Sequence, residues 1–254
     1  MNTTFDFRLI QLDGPLSYQV QAVWSASIAA HASSLTKPLF SDGASGAFII
    51  LKGEITYHGQ TYQQGLHWIP VKKEAQFITL SAGVEMVGFR FHPAKSKDHF
   101  TIFHDDLTGA QESKNTQAEK GLLKLLLNLP QADRLTSLCE WLQCNIKQGI
   151  SNNALSNFIS HIDHKVELQS IEKHIPLSLR QIERQFKTQI GFTPKYYQRL
   201  MRIRQAIHFI RECPTMSLVD LATQAGFSDQ AHMNREFRKL AGMTPKEYQI
   251  SKQG

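Results

Sequence analysis

Two arginines 51 residues apart, Arg184 and Arg235, occupy the same place in two matching stretches, RQFKTQIGFTPKYYQ and REFRKLAGMTPKEYQ. Around the first, Arg180, Glu183, Arg184 and Lys187 recur at i, i+3, i+4 and i+7, which on a helix is one face. The same offset puts Ala231, Asn234, Arg235 and Arg238 on the outward face of the second stretch, with His232 at its flank. These side chains suit hydrogen bonding to base edges in a major groove: Arg to guanine, Asn or Gln to adenine, Glu to cytosine, Ala against the thymine methyl. Opposite them fall Leu179, Ile182 and Phe186 in one copy and Gln230, Met233 and Phe237 in the other, an anchoring face. A solvated charged surface would explain either copy alone, but the recurrence of the same outward arginine weighs against it.

The elements that must hold these residues are legible from start and stop signals. Besides the arginines, Phe186/Phe237, Gly191/Gly242, Thr193/Thr244, Pro194/Pro245, Lys195/Lys246, Tyr197/Tyr248 and Gln198/Gln249 are identical at the 51-residue offset. A fixed period means one supersecondary unit used twice. Ser178-Leu179-Arg180-Gln181 has the form of a capping box, and each Thr-Pro supplies an N-cap followed by proline at the first helical position. Helices are expected over 155–164, 168–174, from Ser178, over 194–212, over 217–224, from Ser228 and from Thr244. Short helix, Ala225-Gly226-Phe227 turn, helix is a helix-turn-helix. The helix from Pro194 to Glu212 would span about 27 Å. That approaches the roughly 34 Å between successive major grooves on one side of a duplex. Lys195, Arg199, Arg202 and Arg204 are candidates for phosphate contacts.

SLVDLATQAGFSDQAHMNREFRKLAGMTPKEY closely resembles the second helix-turn-helix signature of AraC/XylS-type bacterial transcription regulators, and SLRQIERQFKTQIGFTPKYYQ resembles the first. The resemblance covers about 152–249. It implies a seven-helix domain placing two recognition helices in adjacent major grooves, promoter activation, and RNA polymerase as a protein partner. Matched motif by motif, its base-contacting positions fall on Arg180, Glu183 and Arg184 and on Gln230, Ala231, His232 and Arg235; Gln181, Lys187, Asn234 and Arg238 complete the DNA-binding set. One departure is Ile175-Pro176, which stands opposite Gly226-Phe227 in the first turn.

The first ninety residues read as short strands between turn residues, about 5–92, with His58-Gly59 at a hairpin turn. The pattern predicts a β-sandwich or small barrel, distantly similar to the cupin-like sensor domains found in this family. A barrel of that size can hold one small ligand, and Trp24, Phe48, Tyr57, Trp68 and Phe89 are candidates to line it, although strand aromatics are more often plain core. His58, His67, His92, His99 and His104 are scattered and lack the paired spacing of a metal site, so neither metal nor cofactor is expected. From about Gln117 the period changes to helical: Leu122, Leu123, Leu125, Leu126 and Leu129, then Leu135, Leu138, Leu142 and Ile146, predict a hairpin over about 117–148. Its first helix is apolar over more than one face, which makes the hairpin a candidate homodimer surface. Gly149–Asn153 is the expected boundary.

The expectation is an α+β chain of two domains. Residues 1–150 form a β-rich, cupin-like barrel with a helical hairpin, and 151–254 an all-α domain with helix-turn-helix units at about 167–187 and 218–238. Charge agrees with that division. Of 28 Lys/Arg and 22 Asp/Glu, 15 and 8 lie from Lys165 onward, so the second part carries the whole basic excess, the footprint of a polyanion partner. Three dispersed cysteines fit neither a disulfide framework nor a thiolate zinc site. With no basic-then-apolar leader and no long apolar run, no membrane association is expected and a cytoplasmic setting is. The function expected is an effector-responsive regulator that binds double-stranded DNA, with a small molecule as effector. One alternative is an enzyme whose β-domain is catalytic, but no nucleophile elbow, phosphate loop, HExxH or tight carboxylate pair supports it. The other is a redox switch through Cys139 and Cys144, which, five apart on a helix, point to different faces.

Overall fold

Strands form where β-branched and aromatic residues are dense, and all but the one ending at Ile28 are followed within four residues by glycine or proline. A computed structural model describes residues 5–95, 117–146, 154–165, 167–172 and 175–253. The strands are β1 (Phe5–Ile10), β2 (Val20–Ile28), β3 (Leu35–Leu39), β4 (Gly46–Lys52), β5 (Ile55–Tyr57), β6 (Gln60–Tyr62), β7 (Gly65–Ile69), β8 (Gln76–Leu80) and β9 (Glu85–Phe91). They form a five-stranded sheet ordered β1-β2-β9-β4-β7 and a four-stranded sheet ordered β3-β8-β5-β6. The β5–β6 hairpin turns at His58 and Gly59, both at positive φ (52° and 76°), the backbone a two-residue hairpin requires.

Two open sheets stand where a barrel was expected. Among the described residues β1 and β7 end one sheet and β3 and β6 end the other, with no ladder joining them. Closure needs strands long enough to tilt and stagger around an axis, and β5 and β6 have three residues each. Strand β3 was not anticipated, because Lys37-Pro38 reads as a break; proline is tolerated there because β3 is an edge strand.

Helices α1 (Gln117–Asn128) and α2 (Arg134–Asn145) form the predicted hairpin. Leu122, Leu126, Leu138 and Leu142, all fully buried, pack with Ala47, Ile49, Leu51, Val87, Phe89 and Phe91 from the five-stranded sheet. Arg134 closes the hairpin by donating from Nε to the Leu126 and Leu129 carbonyls at 3.2 Å each and from Nη1 to Glu85 at 2.8 Å. Leu125 and Leu127 on α1 remain 42% and 38% exposed, so apolar side chains of this helix lie outside the core on more than one side. Cys139 is half-buried and Cys144 exposed, and burial, followed by the charge of Glu140, pushes the Cys139 thiol pKa up. A raised pKa leaves less thiolate for redox chemistry.

The second compact unit contains 151–254 together with 38–43 and 71–76. Its helices are α3 (Ala154–His161), α4 (Leu168–Glu172), α5 (Leu179–Ile190), α6 (Pro194–Glu212), α7 (Leu218–Gln224), α8 (Gln230–Ala241) and α9 (Pro245–Gln253). Those seven, among the described residues, match the seven implied by the resemblance. The anticipated 149–153 boundary, the last residues of the first hairpin, and His99 and His104 lie outside the described residues. No helix among them is long and apolar enough to cross a membrane.

Candidate nucleic-acid interface

Recognition surfaces need rigid supports, and the two copies are supported alike. In α5 the buried residues are Ile182, Phe186 and Ile190; in α8 they are Met233, Phe237, Leu240 and Ala241. Each helix ends at a glycine in the left-handed region, Gly191 at φ 87° and Gly242 at φ 73°, where a Cβ would be strained. Phe186 packs on Tyr197 with ring centroids 5.6 Å apart, and Phe237 on Tyr248 at 6.3 Å. Burial takes the Tyr197 hydroxyl up to a pKa of about 12. Thus the repeated aromatic residues are core, packed under the outward faces.

The repeated glutamines are structural as well. Gln198, on α6, donates from Nε2 to the Asp163 carbonyl at 3.1 Å, and Arg202, one turn on, donates to the His164 carbonyl at 2.9 Å. In the second copy Gln249 donates to the Met216 carbonyl and Gln253 to the Pro214 carbonyl, both at 2.8 Å. Each pair ties the helix after a Thr-Pro start to the loop before its helix-turn-helix. The sequence signalled Gln198 and Gln249 through their identity in the repeat, but not their partners, which lie 35 and 33 residues away.

All five first-copy candidates, Arg180, Gln181, Glu183, Arg184 and Lys187, are exposed on α5. Ser178 caps that helix: its hydroxyl accepts from the Gln181 backbone N–H at 3.4 Å, and Gln181 Oε1 accepts from the Ser178 N–H at 2.9 Å. The Gln181 carbonyl oxygen is therefore held by the cap. On α8, Ala231, Arg235 and Arg238 are exposed, while Gln230, His232 and Asn234 are half-buried. Asp229, rather than Ser228, caps α8, accepting from the His232 N–H at 2.7 Å; that bond, and then the Ser228 hydroxyl, hold its carboxyl below the usual range. A carboxylate gains more than a hydroxyl at a helix N-terminus, where orphan N–H groups and the helix dipole are positive.

Asn234, Arg235, Arg238, Lys239 and Thr244 line an open concavity of about 540 Å³ beside α8. Asn234 Oδ1 itself is buried and, among the described residues, has no hydrogen-bond partner. Lys239 and Thr244 were not anticipated as members of this surface, because the helical pattern ranks them as ordinary flank and cap. Of the four suggested phosphate contacts, Lys195 and Arg204 are exposed. Arg199 and Arg202 have partners inside the unit: Arg202 the His164 carbonyl and Arg199 the carboxylate of Glu236, with Arg199 Nη2 at 2.9 Å from Oε1 and Nε on Oε2.

The five candidate ligand residues do not share one surface: Tyr57 lies on the four-stranded sheet, and the other four divide between the two faces of the five-stranded sheet. Trp24, Phe48 and Tyr57 form a chain of edge contacts, with centroids 5.8 Å and 5.5 Å apart. The Trp24 indole lies over Gly88, where a Cβ would collide with the ring. Trp68 and Phe89, 5.8 Å apart, belong with the core under α1 and α2, and the Trp68 indole N–H donates to the buried Glu119 at 2.8 Å. Strand alternation separates the two groups: Ala47 and Ile49 face the helices, so Phe48 between them faces away.

Residues 172–250 match the family model described as a helix-turn-helix domain. Over 115 residues the chain is 31% identical to the HTH-type transcriptional activator RhaS of Escherichia coli (strain SE11), covering 44% of this chain and 41% of that protein. The chain thus spans about two-fifths of the length of the curated relatives it matches. Among solved structures, ToxT from Vibrio cholerae O395 aligns over 100% of both chains at 13% identity with a TM-score of 0.48. The DNA-binding domain of AdpA, in complex with a target DNA, aligns over 39% of this chain and 93% of that one, at 21% identity and a TM-score of 0.35. By the match over residues 172–250 the chain carries a helix-turn-helix domain, and its repeated signature is similar to that of AraC/XylS-type regulators.

Proposed function

We propose that this protein is a sequence-specific transcription regulator that inserts α5 and α8 into successive major grooves of double-stranded DNA. The observation that carries this reading is the duplicated support. Two capped helices with matching buried faces each present the same exposed arginine, Arg184 or Arg235. In this reading Arg180, Glu183, Arg184 and Lys187 read or flank one half-element. Gln230, Ala231, His232, Asn234, Arg235 and Arg238 serve the other, with Lys239 and Thr244 added at the phosphate side. Gln181 is removed from base reading to the cap. The two sets differ, so one subunit reads an asymmetric sequence.

Residues 1–150 act as the sensor and dimerisation part and 151–254 as the DNA-binding part. The chain works in the cytoplasm as an activator together with RNA polymerase, a direction supported by the activator named among its relatives. A small apolar effector would meet Trp24, Phe48 and Tyr57, with Trp68 and Phe89 confined to the core. Homodimerisation through the 117–148 hairpin is supported by the exposed Leu125 and Leu127.

Selection from a randomised duplex pool followed by footprinting tests the central claim. The wild-type chain should enrich a defined sequence and protect it. Arg184→Ala and Arg235→Ala should each abolish the footprint at unchanged far-UV circular dichroism, each lost base contact costing about 1–3 kcal/mol. Wild-type footprints from both variants would sink the proposal.

A further inference from the structure

We propose that the Arg199–Glu236 ion pair is the positioning contact between α6 and α8 that sets how the second recognition helix is presented relative to the first, and thereby which spacing of half-elements the protein accepts. The inference rests on the DNA-binding reading above.

Most of what stabilises each copy is repeated at the 51-residue offset: the aromatic pairs, the glycine ends, the Thr-Pro starts and the glutamine ties. The Arg199–Glu236 pair is not. The offset places Ile250 opposite Arg199 and Gln185 opposite Glu236. Ile250 is 58% exposed, so the second copy has no equivalent of this contact. Because it joins α6, which follows the first copy's helix-turn-helix, to α8 of the second, this unrepeated pair acts on the relation between the copies.

The residues of α6 divide accordingly. Tyr197, Gln198 and Arg202 attach to the first copy, through Phe186, Asp163 and His164. Arg199, on the same turn, reaches the second copy through Glu236, and Arg211 reaches it again at the far end, donating to the Tyr248 hydroxyl at 2.9 Å. Apolar packing of Leu200, Ile203 and Ile207 supplies attraction but little direction, because burial of apolar area is nearly indifferent to small rotations and slides. A guanidinium holding both oxygens of one carboxylate is directional, since two parallel N–H···O bonds fix a plane as well as a distance. The two side chains are 26% and 16% exposed, and the Tyr196 ring lies 5.0 Å from the guanidinium carbon, so the fork is held from a second side.

Glu236 is also the neighbour of Arg235, one of the outward arginines. Whatever turns Glu236 about the helix axis turns the whole reading face with it. Loss of the pair should therefore leave the half-element sequences unchanged and relax the number of base pairs tolerated between them.

The test is selection of the full-length protein on a randomised duplex pool, scored for both half-element sequence and spacing. Wild type should enrich two half-elements at one dominant spacing. Arg199→Ala, and separately the nearly isosteric Glu236→Gln, should enrich the same half-elements with the spacings one base pair longer and shorter rising roughly tenfold relative to the native one. The exchanged pair Arg199→Glu with Glu236→Arg should restore the single spacing. A simple loss of folding would lower all binding without redistributing spacings, and the Glu236→Gln variant then decides. A single wild-type spacing retained by both single variants overturns the inference while leaving the DNA-binding reading intact. A wild-type protein that enriches no sequence overturns both.

Discussion

Gln249 is 2% exposed, and its Nε2 donates to the Met216 carbonyl at 2.8 Å in the loop that precedes α7. Replacing it with leucine keeps the volume close, so little cavity is created, but removes the donor. The Met216 carbonyl would then lose a partner in a region it shares with a nearly fully buried side chain. An unsatisfied buried acceptor costs about 1–3 kcal/mol, more than the 0.5–1.5 kcal/mol usually assigned to a hydrogen bond replaced by water. Against total stabilities of about 5–15 kcal/mol that is a large fraction. With a urea slope of about 2 kcal/mol per molar, the unfolding midpoint should fall by roughly 0.5–1.5 M. The assay is urea unfolding followed by far-UV circular dichroism, which reports mainly on the helical unit. Gln198→Leu should behave alike, because its bond to the Asp163 carbonyl is the counterpart. A fall of less than about 0.2 M for both would show that water satisfies these carbonyls and that the glutamine ties contribute little.

Three further outcomes follow from particular residues. Gly191 sits at φ 87° with open space around an added Cβ, so Gly191→Ala should cost about 1–2 kcal/mol of backbone strain alone, read as a lowered urea midpoint. Tyr197 has its pKa raised by burial to about 12, above the unfolded value of about 10, so its contribution is present below about pH 10 and lost as pH rises toward 12. Tyr197→Phe should accordingly lose less stability than wild type between pH 9 and pH 11, on the order of 1 kcal/mol less, measured by urea unfolding at the two pH values. Leu125→Glu with Leu127→Glu should shift sedimentation from dimer to monomer without altering the far-UV spectrum. A dimer that survives both charges removes the hairpin as the interface.

How much of this was legible beforehand depended on the range of the interaction. Ser178 with Gln181, the Thr-Pro starts and the glycine ends are local, so their residue types alone located α5, α6, α8 and α9 to within a residue or two. Asp229 shows the limit: Ser228 and Asp229 are both good caps, and only the backbone trajectory decides which side chain meets the His232 N–H. The barrel expectation failed for a related reason. Strand periodicity counts strands but does not say which strands pair, and the three-residue β5 and β6 leave the four-stranded sheet open.

Sequence by itself determined the duplicated helix-turn-helix, its outward and anchoring faces, and the position of the helical hairpin, because helical period, capping and repeat identity are all encoded within a few residues of one another. Tertiary structure alone decided that Arg199 is bound to Glu236 and Arg202 to the His164 carbonyl instead of lying free for phosphate. It alone divided Trp24, Phe48 and Tyr57 from Trp68 and Phe89. A long charged or aromatic side chain reaches several possible partners at similar local cost, and which one it takes is settled by elements tens of residues away, brought near only when the chain has folded.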